Sequence, residues 1–472
     1  MAIKAKVASA AEKDDIPVES RDMQLLATLG FKQELRRHYS TTRVFAVAFS
    51  IMGLLPSISS TLFFSIPAGP VGMVWGWLAA SIFIFIVGLA MADLASAMPT
   101  AGGPYFWTQY FSGDRWKNPL SFIVGYSNTI GLLGGVCSVD YGFATMLLSV
   151  DSLTHDGNWT ASRAVVYGTY VVCGVVHGLI ATFFGRNMPK IQSTCIVSNG
   201  GLVLATILAL PIGKAIRGGH INAGAYVFGH LRNLTTWPQG WAFMLAWLSP
   251  IWTIGVFNSC VHMSEEATHA ARAIPLVIVA VIDVNLDGVL STNLGQPMAQ
   301  IYYDCLGKSG ALGFMIVVAI VQFFMGLSLV IAASRQSWAF SRDGALPFFF
   351  RNVSKKIRYQ PVRMIWGVVV SAVIVGLLCI ISSTASNAIS SLAVAGNDLA
   401  WMMPILCRLV WGQDYKPIAV TTIDMNHTVV INGALRGGAL LYYGLYARKV
   451  YKGPQTTVGS SSSVSEANLG GL

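Results

Sequence analysis

Long apolar runs separated by short polar joints dominate the chain. Runs of the roughly twenty residues needed to cross a hydrocarbon core ~30 Å thick fall at 44–66, 71–97, 119–149, 163–184, 191–212, 241–262, 311–333, 364–383 and 386–411, with a weaker one at 428–447. Each predicts a transmembrane helix, because a segment inside lipid must satisfy its own backbone polar groups. One stretch does not fit. "AARAIPLVIVAVIDVNLDG", from Ala270, opens like a span, yet its apolar part at 274–282 would be only about 14 Å long as a helix. It cannot cross alone.

Composition agrees with this reading. Hydrophobic residues make up 54% of the chain and charged residues 11%, against about 25% charged in soluble domains. The expected class is an all-α, polytopic integral membrane protein. The pattern divides it into a cytosolic N-terminal tail at 1–42, a transmembrane domain at 43–452 and a disordered Ser- and Gly-rich tail at 453–472. The tail before the first span shows no secretory signal. The net charge of +10 comes from Lys and Arg between apolar runs, so it reads as topology and excludes a nucleic-acid partner. The seven Cys lie mostly inside apolar runs without the spacing of a metal site or disulfide framework. No nucleophile–base set, phosphate loop or metal spacing is present, so neither an enzyme nor a cofactor is expected. No charge ring or carbonyl filter suggests a channel.

Charge then tests the span count. Lys32, Arg36, Arg37 and Arg43 before the first span put the N-terminus in the cytosol. Six spans follow consistently, with the sequons at Asn158 and Asn233 outside. Parity then fails. Unless a crossing is restored between residues 264 and 311, the most basic loop, with Arg351, Lys355, Lys356, Arg358 and Arg363, lands outside. Arg448, Lys449 and Lys452 require a second crossing between 412 and 427. Restoring both gives twelve spans, cytosolic termini and the Asn426 sequon outside.

Two spans carry breakers near their middle. The first holds Gly53 and Pro56 in "SIMGLLPSISS", and the sixth holds Pro250 and Gly255 in "WLSPIWTIGVFNS". Proline removes a backbone donor and glycine tolerates unwound geometry. Interrupted helices at matching positions, first and sixth, mark inverted repeats of five with a substrate at their interface. Half-helix N-termini there suit a carboxylate, and freed carbonyls suit an ammonium or cation.

Five stretches carry a resemblance to a known family: "MGLLPSISSTLFFSIPAGPVGMVWGW", "GLAMADLASAMPTAGGPYFW", "WLSPIWTIGVFNSCVHMSEEA", "NLGQPMAQIYYDCLGK" and "AASRQSWAFSRDGALPF". They resemble the fungal amino acid/choline transporter branch of the amino acid–polyamine–organocation superfamily, whose members include permeases for GABA, choline and related amines. The resemblance implies a LeuT-like five-plus-five inverted-repeat core of twelve helices, a small amino acid or amine as substrate, and proton-coupled or exchange transport by alternating access. The plasma membrane is the expected location, with the vacuole as the alternative. It lapses at about 279–283 and again at about 415–422, so most of helices 7 and 11 are missing at the two places where parity fails.

The resemblance carries the unwound stretches onto Met52–Ser57 and Ser249–Gly255. The substrate-binding candidates are Gly53, Leu54, Ser57, Ser249, Trp252, Thr253, Gly255 and Asn258. Gly53 and Ser57 would serve a carboxylate, and Trp252 would form an aromatic wall able to hold an ammonium; lipid-facing or packing is its other reading. Relatives read Asp where Asn258 stands, so any role of that charge is lost here. Asp93, where they read Glu, is an inner gate or structural contact, and Glu265 and Glu266 form a gate network or a solvated face. Buried ionisable groups in spans are functional candidates because their burial is costly. Asp140, His177 and Asp398 are therefore the proton-coupling candidates, His177 reading first as a packing histidine. Two hypotheses stand: a secondary transporter whose gene encodes all twelve helices, or a truncated or mis-spliced product that does not transport.

Overall fold

In a computed structural model, residues 26–27, 29, 34–35, 40–155, 159–185, 187–218, 224–255, 257–262, 297–357 and 359–412 are described. Most of the N-terminal tail, the whole C-terminal tail, the short run at 274–282, Glu265, Glu266, the gap after 412 and the run at 428–447 lie outside them.

All nine predicted runs up to residue 411 are helical. In chain order the helices are α1 (Thr41–Met52), α2 (Leu54–Ser65), α3 (Gly69–Ala97), α4 (Pro104–Phe111), α5 (Lys117–Thr154), α6 (Arg163–Phe183), α7 (Met188–Ile216) and α8 (Gly224–Gly229). They continue as α9 (Gln239–Leu245), α10 (Leu248–Ile254), α11 (Ser259–His262), α12 (Pro297–Arg342), α13 (Val362–Gly376), α14 (Leu378–Ile381) and α15 (Ser383–Trp411). No strand occurs among the described residues. The first span is α1 with α2, and the sixth is α9 to α11. α12 begins well before its predicted start and bends at Gly307, whose φ of 76° suits glycine.

α5 is the central strut, packed against α12, α15, α6 and α13. Its small residues let α15 approach closely: a Cβ on Gly131 would lie 2.8 Å from the Asn397 backbone nitrogen, and one on Gly396 would lie 2.6 Å from the Ser127 carbonyl oxygen. Without a hydrophobic driving force between helices in lipid, such backbone proximity supplies the packing energy. The outer faces are apolar. Val172 and Phe183 on α6, with Val197, Leu204 and Leu208 on α7, are exposed, as the lipid side of a membrane bundle requires.

Candidate functional site

The breaks are narrower than the sequence suggests. Between α1 and α2 the helix is interrupted only at Gly53 (φ 40°, ψ 64°), and Leu54–Ser57 are already helical. In the sixth span Ser249–Ile254 are helical too, and the Gly255 N–H still bonds the Ile251 carbonyl at 2.8 Å, so the regular helix ends after these residues and not within them. The prolines explain both corrections. Pro56 and Pro250 each stand third in a half-helix, where the missing N–H breaks no bond within that half-helix.

Each proline still orphans the carbonyl four residues earlier, and a serine of the first span answers each time. Ser57 donates its hydroxyl to the Met52 carbonyl. Ser65 donates to the Ala246 carbonyl at 3.2 Å. A third link joins the two spans. Thr61 donates to the Ser57 carbonyl at 2.9 Å, so in its 2.8 Å contact with Ser249 the Ser249 hydroxyl is the donor. Gly53 meets α12, since a Cβ there would stand 2.8 Å from the Met325 sulfur.

A cavity of about 20 Å³ lies beside these breaks, lined on one side by Trp252 and Gly255, on another by Gly135 and Met325, and closed by Asn397 and Trp401 of α15. That is room for about one water. The Trp401 and Phe257 rings pack against each other at a tilt of 40°, with centroids 4.8 Å apart. Asn397 Oδ1 and Trp401 Nε1 are buried and have no hydrogen-bond partner among the described residues, and the same holds for Thr253 Oγ1, Asn258 Oδ1 and Ser259 Oγ. Unmatched buried polar atoms are rare, and five around one helix break call for a bound water or ligand. Of the sequence candidates, Trp252 and Gly255 line the cavity, Gly53 and Ser57 meet Met325, which lines it too, Ser249 bonds Thr61 between the two spans, and Leu54 is buried.

Asn397, polar at membrane depth beside Asp398, stands out in the sequence without being assigned to substrate, whereas nothing in a single sequence separates Trp401 from a packing residue. Asn258 enters a buried chain: its amide nitrogen reaches Asn128 Oδ1 at 3.4 Å, Asn128 meets His262 Nε2 at 3.1 Å, and His262 Nδ1 meets the Ala101 carbonyl at 2.9 Å. The carbonyl can only accept, so Nδ1 carries the proton and Nε2 accepts from Asn128.

The proton candidates separate. Asp140 and His177, both fully buried on α5 and α6, face each other with Nδ1 to Oδ1 at 3.2 Å, and the Phe323 ring lies 4.4 Å from the imidazole. A Cβ on Gly326 would come within 2.3 Å of Asp140 Oδ1, so only glycine fits beside the pair. His177 therefore makes both an aromatic and a polar contact. Cys173 Sγ sits 3.8 Å from both ring nitrogens. Equal distances set it astride the ring and off the Nδ1 lone-pair axis, a poor arrangement for a shared metal. Asp398 is half-buried on α15. Asp93 accepts from Arg408 at 3.0 Å, tying α3 to α15.

Two broken helices held side by side at a small, mostly apolar cavity with Asn397 in its lining, inside a lipid-facing bundle, define a membrane transporter class of fold. The family described as "Amino acid permease" matches residues 39–284 and 278–435. This chain belongs to the amino acid permease family. The two matched segments overlap at 278–284, within the stretch where charge parity in the sequence leads one to expect a lost crossing.

The GABA-specific permease of Saccharomyces cerevisiae is 39% identical over 493 residues, covering 93% of this chain and 86% of the relative. An uncharacterized amino-acid permease of Schizosaccharomyces pombe is 29% identical over 500 residues, covering 94% and 91%. Both alignments are longer than the 472 residues of this chain, so the relatives carry residues opposite gaps. A nucleobase–cation symport transporter, solved closed with bromovinylhydantoin bound, has 14% identity and a TM-score of 0.33, covering 89% of this chain and 82% of that one. No site is carried across from so distant a likeness.

Proposed function

We propose that this protein is a secondary transporter that moves a small zwitterionic amino acid of the GABA type across the plasma membrane by alternating access, driven by protons, with both termini in the cytosol. The observation that carries the reading is the cavity at the breaks, where Asn397 Oδ1 and Trp401 Nε1 stand buried and unmatched beside Trp252. An acceptor and a donor on one turn of α15 suit a ligand with an ammonium and a carboxylate, and aromatic faces add cation–π attraction. The name of the yeast relative, at 39% identity, supports GABA within that class.

A ligand of that size does not fit in about 20 Å³. The Trp252 and Trp401 rings must withdraw to admit it, a gating movement of the kind alternating access needs. Asp140 and His177 supply a proton site that shares no residue with the cavity lining. Protonating Asp140 would discharge the pair and loosen α5 from α6, which gives coupling a physical route. The Asp93–Arg408 pair acts as an inner gate between α3 and α15.

The test is uptake of labelled GABA into proteoliposomes with an imposed pH gradient, against choline and neutral amino acids as competitors. Accumulation that collapses with the gradient supports the proposal. Accumulation of another substrate overturns the GABA assignment, and none in a well-folded full chain overturns transport.

A further inference from the structure

We infer that the loop between α12 and α13, with the cavity beneath it, is a binding site for an anionic phospholipid. Residues 344–363 contain no Asp or Glu, while Arg351, Lys355, Lys356 and Arg363 are exposed. Just before them, a one-turn helix (Phe348–Arg351) exposes the rings of Phe348 and Phe349. The Arg363 guanidinium lies 4.5 Å over the Phe349 ring, so cation and aromatic surface form one patch. Phe350 turns the other way, pressing so close to α13 that a Cβ on Gly367 would lie 2.7 Å from its ring.

Under Phe350 and Leu346 lies a second cavity of about 140 Å³, floored by Leu133 and Ala333 and walled by Val368. Ser371, at its edge, is exposed on α13 next to exposed Val370, so the cavity reaches the lipid side. This loop therefore offers cations for a headgroup, rings at the interface depth and an apolar recess for part of an acyl chain. Basic residues next to a span attract anionic lipid at about 1 kcal/mol, roughly fivefold, per charge. A neutral lipid would use the recess but not the cations. Lipid binding here needs no assumption about transport.

The test uses the full chain, purified and placed in nanodiscs of phosphatidylcholine alone or with phosphatidylserine, with retained lipid read by native mass spectrometry. The wild type is expected to retain phosphatidylserine in preference to phosphatidylcholine. Replacing Arg351→Gln, Lys355→Gln and Lys356→Gln together should lower that preference at least tenfold, and high salt should weaken it. Ser371→Leu, which plugs the exposed edge without disturbing the core, should lower retention of both lipids. Equal retention of the two lipids by the wild type, or an unchanged preference in the triple variant, overturns the headgroup site. Unchanged retention in Ser371→Leu overturns the acyl recess.

Discussion

Ser65 and Ala246 lie 181 residues apart, and the Ser65 hydroxyl donates to the Ala246 carbonyl at 3.2 Å. Pro250 has no N–H for that carbonyl, so a side chain of the first span completes the ladder of the sixth. Ser65→Ala should cost about 1 kcal/mol by leaving a buried acceptor unmatched. Pro250→Ala restores a backbone donor, so the double variant should be more stable than Ser65→Ala alone. Thermal unfolding followed by fluorescence-detected chromatography reads the cycle. A double variant no better than the single one would remove the serine's assigned role.

Gly53 is held at φ 40° with the Met325 sulfur in the way of any side chain. Gly53→Ala should therefore impose strain of about 1–2 kcal/mol and displace Met325. Uptake should fall at least tenfold. Adding Met325→Ala removes the steric conflict but not the backbone strain, so recovery should be partial. Full recovery would show that only crowding mattered.

Asp140 and His177 form one buried pair, so removing either partner leaves a buried polar group unmatched, a change that costs about 1–3 kcal/mol. Asp140→Asn keeps shape and hydrogen-bonding capacity. It should flatten the pH dependence of net uptake while sparing exchange of labelled for unlabelled substrate. Loss of both with normal chromatographic behaviour would assign the pair to the substrate path.

Asn397 Oδ1 and Trp401 Nε1 are unmatched beside the central cavity. Trp401→Phe keeps the ring and deletes the N–H, and Asn397→Leu deletes the acceptor at similar volume. Each should raise KM about tenfold or more, the effect of a lost hydrogen bond to a charged group, with Vmax changed less. Wild-type KM in both variants, measured beside an active wild type, would show that α15 only packs.

The family match divides at 278–284, where sequence parity also fails. Transcript sequencing across the codons for 279–290 and 413–428 should show extra coding sequence for about twenty apolar residues at each place, one span's length. If neither insertion exists, the short chain lacks a wall of its second repeat and should not accumulate substrate.

The chain's hydrophobic period and charges were sufficient to establish membrane character, the nine described spans and the two breaker-bearing helices, and to raise the expectation of two lost crossings. Each rests on local chemistry: apolar length against bilayer thickness, backbone donors against proline, and Lys and Arg against membrane sidedness. The partners were not legible. These helices are apolar on nearly every face, so periodicity does not fix how each is rotated. Whether Asp140 meets His177 or lipid, whether Asn397 turns toward a cavity, and which serine reaches the Ala246 carbonyl all depend on helix rotation and crossing. Glycine contacts such as Gly131 on α15 and Gly326 on Asp140 set those crossings. The extent of unwinding was decided the same way. Gly53 and Pro56 together predicted a long opening, but Pro56 lies in the first turn of a new helix while Ser57 bonds the Met52 carbonyl that ends the previous one, and the break closes to one residue.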